Sequence, residues 1–95
     1  MKNLIITPEI EAKLISKHNV RRVDIVECFY NKDGNYLEDT RTENKTNPPT
    51  MWFIAETHKG FLLKVVAVYE SGNIYLKTAY QPNQTEIDIY TKYAY

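Results

Sequence analysis

Apolar and polar residues change rhythm several times along this chain, and each rhythm predicts a different element. Ile10, Leu14 and Ile15 fall at the i, i+4, i+5 spacing of a helical stripe, with Glu9, Glu11, Lys13 and Lys17 elsewhere on the surface. Thr7 suits the N-cap and Pro8 the first helical position, where its missing N–H has no partner to lose. Asn19 tolerates the left-handed conformation and closes this helix near His18. Val23, Ile25, Val26, Phe29 and Tyr30 predict a second short helix, with Val23, Val26 and Tyr30 on one face and Ile25 and Phe29 alongside.

After Asp33-Gly34 the period shortens. Asn35 to Arg41 alternates like a strand but is polar, which suits an edge. Thr42 to Pro49 is the one long polar segment and reads as a mobile loop within the domain. Met51–Glu56, Phe61–Tyr69 and Ile74–Tyr80 are the strongest strand signals, joined by His58-Lys59-Gly60 and Ser71-Gly72-Asn73, both short enough for hairpins. Asn83 with Glu86 three residues later resembles a capping box and opens a last helix turning Ile87, Tyr90 and Tyr93 inward. The expectation is a single α+β domain over residues 1–95: two N-terminal helices, a four-stranded antiparallel sheet and a C-terminal helix.

Composition narrows the function classes. A chain of 95 residues buries roughly two thirds of its unfolded surface, enough for one core without staples. Cys28 has no second cysteine to pair with, and with two histidines there is no thiolate cluster for structural zinc, so neither metal nor cofactor is expected. The N-terminal apolar run, Leu4-Ile5-Ile6, is too short for a membrane span or a secretory core; the expectation is a soluble, cytoplasmic protein. Twelve basic residues balance twelve acidic ones, so no net field draws in a polyanion from a distance, and any nucleic-acid contact has to come from a local patch.

Several segments resemble the BrnT-like branch of the RelE-type toxin superfamily, the small ribonucleases of bacterial toxin–antitoxin pairs. They are Lys17-His18-Asn19-Val20, Glu27-Cys28-Phe29, Gly60-Phe61-Leu62-Leu63-Lys64-Val65-Val66 and Ile74-Tyr75-Leu76-Lys77-Thr78-Ala79-Tyr80, with Glu86 and Tyr90 in the last helix. The resemblance spans most of the chain as scattered positions. It implies a RelE/BrnT-like fold, endoribonuclease activity without a metal, RNA and an antitoxin protein as partners, and self-association into a homodimer as a further option. One departure stands out. Where BrnT-like toxins carry an arginine after the small-Ala pair, this chain has Tyr80, so Lys77 or Lys64 would have to replace its phosphate contact. Thr78-Ala79-Tyr80 is instead similar to the wider barnase-like, colicin-like and RelE-like nucleases, in which a late Thr and Tyr accompany a histidine from an early helix.

RNA cleavage of this kind needs a group to take the 2′-hydroxyl proton, charge to stabilise the phosphorane, and a donor for the departing 5′-oxygen. The candidate catalytic residues are His18, Lys77, Thr78 and Tyr80; the candidate RNA contacts are Lys17, Arg21, Arg22, Lys64 and Trp52. Each has an ordinary alternative. His18 is also placed to cap a helix dipole, Tyr80 to pack a sheet, and Lys64 and Lys77 to lay their stems across apolar neighbours. Trp52 suits a core as well as a stacked base, and Asp39 and Arg41, on one face of the edge strand, read as cross-strand ion-pairing residues. Strict alternation puts Lys77 and Tyr80 on opposite faces, so a shared site requires a bulge or a reorienting strand end. The competing function class is a catalytically inactive RelE-like interaction or regulatory module. The absence of a glycine-rich phosphate loop argues against nucleotide chemistry such as that on ADP-ribose.

Overall fold

The computed structural model describes residues 1–41 and 46–95. Its elements run β1 (Leu4–Ile5), α1 (Pro8–His18), α2 (Arg22–Asn31), β2 (Leu37–Glu38), β3 (Thr50–Glu56), β4 (Leu62–Glu70), β5 (Asn73–Tyr80) and α3 (Gln84–Tyr93). The class is α+β, with three helices and one five-stranded sheet in the order β1-β5-β4-β3-β2.

The sheet corrects the expectation of four antiparallel strands. β1 adds a fifth, pairing parallel to β5 through Leu4 opposite Ile74 and Ile5 opposite Tyr75, so the sheet is mixed. The three strongest strand signals do form a meander, β3 against β4 against β5, each pair antiparallel. Ser71 and Gly72 make the β4–β5 turn with φ of 53° and 80°, the left-handed pair that a two-residue hairpin demands. The edge strand expected over Asn35–Arg41 shrinks to Leu37–Glu38 against β3. Its ladder ends because the Asp39 carboxylate accepts the Arg41 backbone N–H at 3.1 Å and turns the chain away. Of the polar segment Thr42–Pro49, the expected loop, residues 42–45 lie outside the described residues.

Local chemistry explains the helix ends. The Thr7 side chain accepts the Ile10 N–H, and Asn19 at φ 54° closes α1 with its N–H directed to the Ile15 carbonyl. Asn83 accepts the Glu86 N–H at 2.8 Å while Glu86 accepts the Asn83 N–H at 3.0 Å, the reciprocal capping box expected at α3.

Pairing and alternation give the sheet two unlike faces. Phe53, Val65 and Ala79 lie in one cross-strand row and Ala67 and Leu76 in another, all buried under α1 and α2 with Leu14, Ile25 and Cys28. Phe29 meets Phe53 edge-on with ring centroids 4.9 Å apart. The inward face of α2 is therefore Ile25 and Cys28, whereas Val23 and Tyr30, expected inside, are exposed. Ile15 and Tyr93 likewise point outward, and Ala94 takes the buried place that Tyr93 was expected to fill.

On the other face α3 packs Tyr90 against Trp52, with ring centroids 5.6 Å apart. The Tyr90 hydroxyl donates to the Asn35 carbonyl, and both the backbone and the side chain of Asn35 donate to the Ala94 carbonyl, tying the end of α3 to the segment after α2. Gly34 sits where a Cβ would come within 2.6 Å of the Tyr90 hydroxyl, so this closure needs glycine.

Candidate functional site

The site starts from an irregularity in β5. Ala67 pairs with Leu76 but Val66 pairs with Thr78, which leaves Lys77 as the extra residue of a bulge. Up to Leu76 the even-numbered residues of β5 point at the core. Past Lys77 the parity reverses: Ala79 turns into the core, and Thr78 and Tyr80 join Val66 and Lys64 on the opposite face. The bulge on which a shared site depends is present. Lys77, Thr78 and Tyr80 line one groove together with Asp39, Arg41, Thr50, Trp52 and Lys64. Its volume is ≈ 440 Å³, within the range of small-ligand sites.

Inside the groove the polar groups form two linked sets. Lys64, 8 % exposed, places its ammonium 2.8 Å from Glu86 Oε2, and the Tyr80 hydroxyl donates to the same oxygen at 2.6 Å. Glu86 thus caps α3 with one oxygen and gathers a lysine and a tyrosine with the other. Burial works against its charge. The Lys64 and Tyr80 hydrogen bonds and the Asn83 N–H outweigh that penalty and hold the carboxyl below its ordinary range. Burial first, then the Glu86 hydrogen bond and charge, push the Tyr80 phenol up to about 12, so it stays protonated and donates at neutral pH. The Lys64 ammonium also stands 4.5 Å above the Trp52 ring.

The second set is the exit from β2. Arg41 donates to Asp39 through Nε at 3.1 Å and Nη2 at 2.9 Å, a two-pronged pair that lowers the Asp39 pKa mainly through these hydrogen bonds. The pair is not cross-strand; both members come from one turn. Its charges reach the first set, since Arg41 and Asp39 act in opposite senses on the Tyr80 hydroxyl and Lys64 acts on Asp39.

The remaining candidates divide. His18, the last residue of α1, is exposed and is not among the groove-lining residues, and its ring centroid lies 5.8 Å from that of Tyr80. Lys17, Arg21 and Arg22 are exposed and outside the groove lining, and the Arg22 guanidinium donates to the Met1 carbonyl. Trp52 is 8 % exposed, between Tyr90 and the Lys64 ammonium, so a base could stack on its ring only by displacing one of them.

Neither a protein-family model nor a curated protein matches this chain.

Sequence reasoning missed Glu86 as the hub, because its N3 position already accounted for it, and missed Asp39 and Arg41 as groove walls. A larger cavity of ≈ 600 Å³ lies at the other end of the sheet, lined by Asn31, Asp33, Glu56, His58 and Tyr95 among others. None of the candidate catalytic or RNA-contact residues lines it. Several of its polar groups partner one another: Asn31 with His58 at 3.1 Å, and Tyr95 with Asp33 at 2.7 Å. Among the described residues no helix is long and apolar enough to cross a membrane.

Proposed function

We propose that the chain is a RelE/BrnT-like, toxin-type endoribonuclease that cleaves RNA by acid–base chemistry without a metal, and that a cognate antitoxin protein restrains it. The reading is supported above all by the grouping of Lys77, Thr78, Tyr80 and Lys64 in one groove, with the His18 imidazole 5.8 Å from the Tyr80 ring. In the proposed reaction His18 takes the proton of the 2′-hydroxyl as that oxygen attacks phosphorus. Lys77 stabilises the negative charge that grows on the phosphorane oxygens. The P–O5′ bond breaks, the 5′-oxygen leaves with a proton, and a 2′,3′-cyclic phosphate remains. Tyr80, protonated at neutral pH, donates to the departing oxygen, and Thr78 orients the phosphate beside it.

A second reading is favoured by the Lys64–Glu86–Tyr80 cluster itself, which is mutually satisfied and would equally serve as a strut between the sheet and α3 in an inactive interaction module. Induced expression in bacterial cells separates the two. The ribonuclease reading predicts growth arrest that His18→Ala and Tyr80→Phe abolish while both variants remain folded. Unimpaired growth under strong expression, with cellular RNA intact, would favour the module.

A further inference from the structure

The outer edge of β3 is paired only at its first end. β2 covers Met51 and Trp52, and the Asp39 N–H donates to the Thr50 carbonyl, so Thr50 and Trp52 turn their peptide groups outward. Alternation carries that orientation on to Ile54 and Glu56, whereas Thr57, whose N–H meets the Phe61 carbonyl, faces β4. The Ile54 N–H is taken by the Tyr90 hydroxyl, and the Glu56 carbonyl by the Asn31 side-chain amide at 2.9 Å. The Ile54 carbonyl and the Glu56 N–H have no partner among the described residues. A carbonyl and an N–H two residues apart accept an extended segment in either direction, gripping one residue of a parallel strand or the two flanking residues of an antiparallel one.

This edge opens into the ≈ 600 Å³ cavity at the end of the sheet away from the groove. A docked strand would lay alternate side chains on the face shared by Ile54 and Glu56, where the cavity adds Ile87, Asp33 and Tyr95. Asp33 and Glu56 are carboxylates, and no lysine or arginine is among the described residues that line the cavity. Glu56 has no side-chain hydrogen bond or ion pair among the described residues, and Asp33 receives the Tyr95 hydroxyl. Lys32, one residue before Asp33, stands 4.1 Å above the Tyr36 ring. We propose that this cavity docks an extended segment of a partner polypeptide, which pairs with β3 between Ile54 and Glu56 and directs lysine or arginine side chains to Glu56 and Asp33. The stems of such side chains would cover Leu62 and Ile87 while their charged heads stay wet. A second copy of this chain could meet the backbone groups through a two-fold axis. It would set Glu56 and Asp33 against their own images, so charge favours a basic partner. The inference stands apart from the reading of the groove, which shares no lining residue with the cavity.

The test titrates the full-length ¹⁵N-labelled protein with a blocked heptapeptide that alternates valine with lysine. The Glu56, Thr57 and His58 amide signals are expected to shift, and hydrogen exchange of the Glu56 N–H, fast in the free protein, to slow roughly tenfold or more at saturation. The same peptide with glutamate in place of lysine should bind roughly tenfold more weakly or worse, and Glu56→Lys should invert that preference. Asp33→Asn should weaken the lysine peptide roughly two- to fivefold, the scale of an exposed ion pair. Methylating the backbone nitrogens of the valines removes the donor that a parallel strand needs, and methylating those of the lysines removes the antiparallel one; one of the two peptides should fail to bind. No shift at Glu56, equal binding of the two charge forms, or undiminished binding of both methylated forms each overturns the inference. So does a Glu56 N–H already protected in the free protein, whether within one chain or by dimerisation through β3.

Discussion

On the face of the sheet under α1 and α2, the row Phe53–Val65–Ala79 is apolar and buried; on the opposite face the neighbouring row Trp52–Val66–Thr78 leads to Lys64, Tyr80 and a groove. The first face is held by area removed from water and by packing, which are non-directional. The second is held by a few directed bonds converging on the carboxylate of Glu86. A face built by area tolerates change in proportion to volume, whereas a face built on one hub fails when the hub is removed.

Truncating each face at its centre breaks the comparison most sharply. Phe53→Ala should cost about 3–5 kcal/mol in chemical denaturation, the transfer-plus-cavity loss of a buried aromatic ring. Glu86→Ala removes far less surface but leaves the Lys64 ammonium buried without its carboxylate, and a loss of about 3–5 kcal/mol is expected there too. Lys64→Met with Glu86→Gln should recover much of it, since no buried charge is then left alone. If Glu86→Ala costs no more than an ordinary surface substitution, about 0.5 kcal/mol, the groove face does not depend on its hub.

Smaller effects separate the faces by pH. Glu86 and Asp39 are held below their ordinary values, so the folded state binds fewer protons than the unfolded one. Their contribution is full above the unfolded carboxylate range and disappears as pH falls through the depressed values. Cys28 on the core face is shifted the other way, from 9.0 to about 12, chiefly by burial and then by Asp24 and Glu27. Its contribution is full below pH 9.0 and is lost as pH rises toward about 12. Acid melting should therefore be softened by Glu86→Gln, and alkaline melting by Cys28→Ala once the cavity cost is subtracted. The smallest change expected is from deleting Lys77. The register Val66–Thr78, Val65–Ala79 and Lys64–Tyr80 already accommodates that deletion, so the protein should fold with a regular ladder and lose only Lys77 from the groove, keeping Lys64.

Much of the fold was legible because its signals are local. Thr7-Pro8, Asn19 and the Asn83–Glu86 box each mark a helix end through the chemistry of one or two side chains. The meander was readable from three apolar runs with short turns between them. β1 was not, since two residues carry no period and its partner lies 70 positions away, Leu4 against Ile74. The inner face of α2 was misjudged because Val23, Val26 and Tyr30 share a helical stripe by spacing alone, while burial follows the direction in which the helix lies on β3. The groove was half legible. Lys77, Thr78 and Tyr80 stood out as residue types, but a bulge has no sequence mark here, and strict alternation sends Thr78 and Tyr80 the wrong way. Asp39, Arg41 and Glu86 join the site through pairings across the sheet and from α3, which no spacing along the chain reveals.

The groove is proposed to cleave RNA through a 2′,3′-cyclic phosphate without a metal. Purified protein incubated with single-stranded RNA in excess chelator, followed by mass analysis of the fragment ends, tests this directly. Fragments ending in 2′,3′-cyclic phosphate, formed by the wild type and reduced roughly a hundredfold or more in Tyr80→Phe, are the expected result. Intact RNA with the wild type, or equal cleavage by wild type and Tyr80→Phe, would contradict it.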